Sequence, residues 1–191
     1  MWNPEGSEAT SLRVSRVVRV PPERAFAVWT DPNEIVRWWG PAGVTCPESH
    51  IDLRVGGEYR IANQFADGRV VWIRGTFEAI DPPHSLIYSW HLEAEPHASA
   101  DERVTVRFEP LAGGATTIVV IHERIGDAAR RESHAIGWAG CLDGFVAHLA
   151  RARVPELIAH SGEAARLHRQ WNHEVVEPER ETRQPPQGEG I

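Results

Sequence analysis

The sequence predicts an α+β fold in which a curved antiparallel sheet of about six or seven strands wraps around one long C-terminal helix. Two observations predict this fold. Residues 131–152 have apolar side chains at helical spacing, whereas most of the chain before them alternates apolar and polar residues. Two-residue turn signals separate the alternating segments, and such short turns join antiparallel strands, because parallel neighbours need long crossover connections. We therefore expect a meander that closes on the final helix.

One strand and two short helices are expected before the meander. Residues 11–20 alternate apolar and polar side chains, which is typical of a strand. Pro22 follows, and proline suits the first turn of a helix, where its missing N–H is not needed. Asp31 is placed to cap a second short helix over residues 33–39. We expect these two helices to close one end of the sheet.

The meander itself is predicted from a period of two and the turn residues between its segments. The expected strands are residues 49–54, 58–65, 69–80, 85–93, 103–110 and 116–124. The residues expected on one face of the third of these are Val71, Ile73, Phe77 and Ala79. Which residues face the helix depends on Gly56-Gly57, because a bulge there would exchange the two faces of the next strand.

The predicted long helix has an apolar face and a flank of glycines. Its apolar face contains Trp138, Cys141, Leu142, Phe145, Leu149 and Ala152, with His134 and His148 beside them. Gly137, Gly140 and Gly144 lie along one flank. Each glycine costs about 1 kcal/mol relative to alanine in a helix interior. We expect this flank to admit something close to the helix, either another backbone or a ligand.

The length and composition indicate one domain with tails. We expect that domain over residues 11–153, after a disordered lead-in at residues 1–10. Residues 154–176 are expected to be helical in pieces, with Ser161 as a candidate cap. Residues 177–191 are charged and rich in proline and glycine, which predicts a disordered tail.

The charge and cysteine content exclude some classes of protein. The net charge is −7, and all 20 basic residues are arginine, so the acidic surface argues against a nucleic-acid partner. No apolar run of about 18 residues and no leader are present, so we expect a cytoplasmic protein without a membrane partner. Cys46 and Cys141 match no metal spacing, and we expect a reduced pair.

Five segments in order resemble a known superfamily. They are WTDPNEIVRWWGPAG at residues 29–43, DLRVGGEY at 52–59, GTFEAIDPP at 75–83, TTIVVIH at 116–122 and GWAG at 137–140. Together they resemble the START-like (SRPBCC, birch-pollen-allergen-like) superfamily over roughly residues 12–152. Within it the sequence is most similar to the homologues of the activator of heat-shock protein 90 ATPase, which are grouped with polyketide cyclases and lipid-transport proteins. The resemblance implies the helix-grip fold.

A cavity between the concave face of the sheet and the long helix is the expected binding site. We predict that it holds a small apolar or aromatic molecule. The residues expected to line it are Trp39, Tyr59, Ile61, Asn63, Tyr88, Trp90, Val120, His122, Trp138, Cys141 and Phe145. For each aromatic residue, a place in the plain core remains an equal alternative.

Two other functions remain open. The first is an enzyme of polyketide cyclase or hydrolase type, with His122 as acid/base and Tyr88 or Asn63 as its hydrogen-bonding partner. For His122, a hydrogen-bonded residue at a strand end is the simpler alternative. The second is contact with a chaperone, which the family resemblance alone implies. We expect no cofactor and no metal, because His134 and His148 lie too far apart on the helix; a homodimer is left open.

Overall fold

Nine antiparallel strands and three helices make up the part of the chain that the structure describes. The structure is a computed structural model that describes residues 10–94 and 102–174, with side chains as far as residue 152. The elements are β1 (Leu12–Val18), α1 (Pro22–Thr30), α2 (Pro32–Trp38), β2 (Val44–Thr45), β3 (Ser49–Ile51), β4 (Glu58–Phe65), β5 (Val70–Asp81), β6 (Ser85–Ser89), β7 (His91–Leu92), β8 (Arg103–Leu111), β9 (Ala115–Glu123) and α3 (Ala128–Glu174).

The strands form one curved sheet in the order β1-β9-β8-β6-β5-β4-β2, with β3 also paired to β4 and β7 to β5. Seven strands along a continuous antiparallel path and a long C-terminal helix confirm the predicted helix-grip fold. None of the helices in the described residues is both long enough and apolar enough to span a bilayer. The chain divides into two units after Ala152, and the sheet belongs to the first.

Helix α3 differs from its prediction at both ends. It begins at Ala128 because the carboxylate of Asp127 accepts a hydrogen bond of 2.8 Å from the backbone N–H of Arg130, which is an N-cap that the apolar period does not reveal. The backbone then stays helical to Glu174, so the predicted new helix capped by Ser161 is wrong. A cap requires extended backbone at the capping residue, and the backbone at Ser161 is helical.

The predicted inward face of β5 is correct as far as Phe77 and wrong at Ala79. Val71, Ile73 and Phe77 are buried, whereas Ala79 is exposed. The pairing of β5 with β6 shifts register between Phe77 and Ala79, which is a bulge. An extra residue in one strand exchanges the faces of the residues beyond it. The bulge therefore turns Ala79 outward.

Two of the three helix glycines pack against the backbone at the end of α2 and in the segment after it. A Cβ on Gly140 would lie 2.8 Å from the Cα of Pro41, and one on Gly144 would lie 2.5 Å from the carbonyl oxygen of Trp38. A Cβ on Gly137 would meet no atom within 4 Å. The glycine flank thus packs closely against other backbone at two positions and borders open space at the third.

The core between the sheet and α3 is densely aromatic. Phe145 packs edge-on against Trp29 and Trp38, with ring centroids 5.2 and 4.8 Å apart, and Phe108 packs against Trp29 at 6.0 Å. The indole N–H of Trp38 donates to the backbone oxygen of Val28 at 3.3 Å. These large rings occupy most of the space that the curved sheet encloses.

Candidate functional site

Among the described residues, a very small cavity lies between the sheet and the two short helices α1 and α2. Its volume is about 20 Å³, and Tyr59, Ile61 and Tyr88 are among the residues that line it. One water molecule needs about 10–15 Å³ by this measure. Side chains therefore fill this space almost completely, and it has no room for a small organic molecule.

A larger space opens beside this interior. A groove of about 460 Å³ lies between the first turns of α3 and the sheet residues of β2, β4, β5 and β7. We call it the tryptophan groove; the residues that border it include Trp39, Asn63, Val71, Trp90, Leu92, His134, Gly137, Trp138 and Cys141. Sites for small molecules in proteins commonly measure about 300–1,000 Å³. The groove is within that range.

Three indoles form the inner wall of the tryptophan groove. The ring centroid of Trp138 lies 5.6 Å from that of Trp39 and 5.1 Å from that of Trp90. The indole N–H of Trp39 donates to the side-chain oxygen of Asn63 at 2.9 Å, which fixes the orientation of that ring. Gly137, which precedes Trp138 in α3, also borders the groove and contributes no side chain. The three indoles, which are only 3–5% exposed, thus contribute to one wall of the groove.

Next to the groove lies a buried polar cluster around Glu102, whose residue surface is 1% exposed. We call this group the Glu102 cluster; it consists of Glu102, His122, Arg130, His134 and Trp138. The guanidinium Nε of Arg130 donates to Oε1 of Glu102 at 2.5 Å. The Nε2 atoms of His122 and His134 lie 3.1 and 3.2 Å from Oε2. A fully buried carboxylate thus faces one guanidinium and two imidazoles.

The environment of the cluster sets the charge of its members. Burial by itself would raise the pKa of Glu102, but the nearby imidazoles of His122 and His134 and the guanidinium of Arg130 outweigh burial and hold that pKa well below its usual range. Burial lowers the pKa of His122 more than the neighbouring carboxylate raises it. At neutral pH, Glu102 is therefore ionised and His122 is neutral.

The indole of Trp138 determines which nitrogen of His122 carries the proton. Its N–H donates to Nδ1 of His122 at 3.1 Å. An indole nitrogen can only donate, so Nδ1 accepts and the proton of the neutral ring lies on Nε2, toward Glu102. The side chain of His122 is 0% exposed, and His122 does not border the tryptophan groove.

The spacing of the cluster invites a test for a metal site. One ligand atom from each of Glu102, His122 and His134 lies within 4.8 Å of the others. However, a metal on Nε2 of His122 would require that nitrogen to lose its proton, while Trp138 donates to the other ring nitrogen. Metal-bound histidines normally donate their second ring N–H instead. The cation of Arg130 also occupies one oxygen of the carboxylate. The cluster does not fit a metal.

The structure distributes the eleven predicted ligand-binding residues over three places. Tyr59, Ile61 and Tyr88 line the small cavity, Asn63, Trp138 and Cys141 border the tryptophan groove, Trp39 and Trp90 border both, and Val120, His122 and Phe145 are buried in the core. Burial raises the pKa of the Cys141 thiol to about 12, so this residue stays protonated. Cys46 and Cys141 are free and buried.

Glu102 and its contact with His134 are the features that sequence reasoning missed. Glu102 directly precedes β8 and looks like a polar residue at a strand start. The signal that could have found it is the register of β8 and β9. Val104 pairs with His122, and Glu102 is two residues from Val104, so both polar residues lie on the inner face.

Comparison with protein families identifies the chain. The model of the family described as Activator of Hsp90 ATPase homolog 1-like protein matches residues 19–150. The chain belongs to this family. All residues of the tryptophan groove lie within the matched range. A comparison with curated proteins gives no match.

Solved structures of bacterial proteins resemble this member of the family. A protein from Chromobacterium violaceum is 28% identical, with a TM-score of 0.62, covering 72% of this chain and 96% of the other. The AHSA1 protein from Silicibacter pomeroyi is 27% identical, with a TM-score of 0.65, covering 74% and 99%. An AHSA1-like protein from Aeromonas hydrophila shares the fold at 23% identity and a TM-score of 0.61, covering 74% and 94%.

Proposed function

We propose that this domain binds a small apolar or aromatic molecule in the tryptophan groove. The observation that carries the proposal is a groove of about 460 Å³ with an inner wall of three indoles, Trp39, Trp90 and Trp138. Flat aromatic side chains bind flat apolar molecules by burying area and by stacking. The small interior cavity, at about 20 Å³, has room for little more than a water molecule. Binding is therefore assigned to the groove.

Gly137 provides a direct test, because a side chain built there enters the groove without meeting other atoms within 4 Å. The probe is 2-methoxynaphthalene, and the measurement is the thermal unfolding of the protein with and without it. A ligand at ten times its Kd stabilises the folded state by about 1.4 kcal/mol. We expect this stabilisation in the unchanged protein and in Gly137→Ala, and we expect its loss in Gly137→Phe.

Gly140 does not serve for this test, although it lies on the same helix flank. A Cβ there would lie 2.8 Å from the Cα of Pro41, so a larger residue would disturb the packing instead of filling the groove. The proposal fails if the unchanged protein shows no stabilisation by the probe. It also fails if Gly137→Phe responds as strongly as Gly137→Ala.

An enzymatic role for His122 has less support. Its ring is 0% exposed, and its two nitrogens face Trp138 and Glu102. A general acid or base must reach the substrate within hydrogen-bonding distance, directly or through one water. His134, not His122, is the histidine that borders the groove. An acid/base role assigned to His122 would require the cluster to rearrange.

We propose contact with an Hsp90-type chaperone as a second candidate function, because the chain belongs to the family described by that activity. The test is the ATPase rate of the cognate chaperone with increasing amounts of this protein. A rise that saturates would support the contact. An unchanged rate, together with no complex in sedimentation, would remove it.

We also assign the protein to the cytoplasm, where its two free thiols would stay reduced.

A further inference from the structure

Trp90, which borders the tryptophan groove, has an indole N–H without a hydrogen-bonding partner among the described residues. Trp90 is 5% exposed, and it borders the groove. Its indole Nε1 is buried and has no hydrogen-bonding partner among the described residues. An indole nitrogen can only donate, and buried donors in folded proteins are almost always paired. The Trp90 N–H is therefore suited to an acceptor atom that arrives with a ligand.

The same groove is bordered by a hydrogen-bond acceptor. His134 has a side chain that is 13% exposed, and its Nε2 lies 3.2 Å from Oε2 of Glu102. An ionised carboxylate can only accept, so Nε2 carries the proton that is directed at Glu102. In a neutral imidazole the other ring nitrogen, Nδ1, then accepts a hydrogen bond. In the described parts of the chain, Glu102 is the only hydrogen-bonding partner of this ring.

The cluster holds the His134 ring in that orientation from two sides. The ring stacks on His122 with centroids 4.7 Å apart and planes at 25°, so it cannot rotate freely. Arg130 binds the opposite oxygen of the Glu102 carboxylate at 2.5 Å and keeps Oε2 turned to the histidines. Since Glu102 orients His134 without bordering the groove itself, Glu102 is a positioning residue.

The rings that carry the donor and the acceptor are neighbours. The Trp90 and His134 rings meet edge to face, with centroids 6.2 Å apart. The backbone N–H of Trp90 also donates to the backbone oxygen of Glu102 at 2.8 Å, which ties the indole to the cluster. A hydroxyl group is the smallest group that both donates and accepts at one oxygen. Such a group would satisfy Trp90 and His134 together.

We propose that the molecule bound in the tryptophan groove carries a hydroxyl on a flat apolar body, with the hydroxyl donating to Nδ1 of His134 and accepting from the N–H of Trp90. This inference rests on the binding function proposed above. The chemical class it defines includes phenols and aryl alcohols. Pure hydrocarbons and ethers of the same shape can bury the same area, but they cannot donate to the histidine.

The test compares 2-naphthol, 2-methoxynaphthalene and naphthalene by calorimetric titration of the unchanged protein. The methoxy compound keeps an acceptor for Trp90 and lacks the donor for His134. One net hydrogen bond corresponds to roughly a 2- to 12-fold difference in affinity. We expect 2-naphthol to bind tighter than 2-methoxynaphthalene by roughly that factor.

Two matched variants locate the preference on one histidine. His134→Phe keeps a flat ring against His122 and removes both nitrogens. His148→Phe makes the same change on the same helix. His148 does not border the groove; its Nε2 lies 2.6 Å from Oε2 of Glu34. We expect the preference for 2-naphthol to disappear in His134→Phe and to persist in His148→Phe.

The outcomes separate this inference from the function on which it rests. Equal affinities of the unchanged protein for 2-naphthol and 2-methoxynaphthalene would overturn the hydroxyl assignment and leave groove binding intact. A preference that survives in His134→Phe would overturn the role of the histidine. Absence of binding by all three probes would overturn both proposals. The comparison of probes needs no variant, so a variant that fails to fold does not prevent a decision.

Discussion

Replacing Glu102 by glutamine is the perturbation with the largest consequence expected for stability. The carboxylate is buried and meets the guanidinium of Arg130, whose side chain is 9% exposed, together with two imidazole nitrogens. Glutamine has nearly the same shape but no charge. In Glu102→Gln the guanidinium remains buried without its counter-charge, and the side-chain amide brings a donor group close to nitrogens that also donate. Removing one partner from a buried ion pair costs about 3–5 kcal/mol.

This expected loss of folding free energy is a large fraction of the total stability of a domain, which is about 5–15 kcal/mol. The assay is urea unfolding at pH 7, followed by tryptophan fluorescence. Glu93→Gln is the matched control, because Glu93 also contacts two arginines, at 3.5 and 3.8 Å, but its side chain is 33% exposed. Exposed pairs contribute only about 0–1 kcal/mol. We therefore expect a large loss for Glu102→Gln and a small one for the control.

The difference between the unchanged protein and Glu102→Gln also has a predicted pH dependence. Folding lowers the pKa of Glu102, so the unfolded chain takes up its proton first as the pH falls. The stabilisation by the carboxylate is thus fully present above the unfolded pKa of about 4.3 and declines as the pH falls below it. A loss below about 1 kcal/mol at pH 7, equal to that of the control, would refute the account of the cluster.

Two further predictions concern stability. Gly137→Ala should stabilise the protein by up to about 1 kcal/mol, because alanine favours the helix and no atom lies within 4 Å of the new Cβ. Gly140→Ala should destabilise the protein, because the new Cβ would lie 2.8 Å from the backbone of Pro41. The measurement is the melting temperature of each variant, and equal melting temperatures for the two would contradict the packing described. Burial lowers the pKa of His122, so the unfolded state binds its proton first below about pH 6.5, and stability should fall there by up to about 1.4 kcal/mol per pH unit. Urea unfolding between pH 7 and 5 should show a shallower fall in His122→Gln, and an identical slope would contradict this.

The parts of the fold that depend on local patterns could be predicted from the sequence. Alternation over β4 placed Tyr59 and Ile61 on the buried face, and Asp31 caps α2 as expected, accepting a hydrogen bond of 2.8 Å from the backbone N–H of Asn33. Ala79 was predicted wrongly because its orientation depends on a bulge, which leaves no mark in the alternation of apolar residues. The alternation of apolar and polar residues along the chain does not reveal such a shift in strand register.

The candidate site could be predicted only in part, because it depends on contacts between distant segments. The tryptophans near it were visible as unusual residues, but whether each indole borders a groove or fills the core is decided by packing. Trp38 and Trp39 are neighbours in the chain and both belong to the core, yet of the two only Trp39 also borders the groove. Glu102 meets His134 across 32 residues of sequence, and the contact follows only once the strand register is known.

The most direct test of groove binding uses the indole N–H resonances in a ¹H–¹⁵N spectrum during titration with 2-methoxynaphthalene. Trp39, Trp90 and Trp138 border the groove, Trp29 is buried in the core, and Trp72 lies on the opposite face of the sheet under the guanidinium of Arg60 at 3.8 Å. We predict saturating shifts for the three groove indoles and much smaller ones for Trp29 and Trp72. Shifts confined to Trp72, or no shifts at any indole, would contradict the central claim.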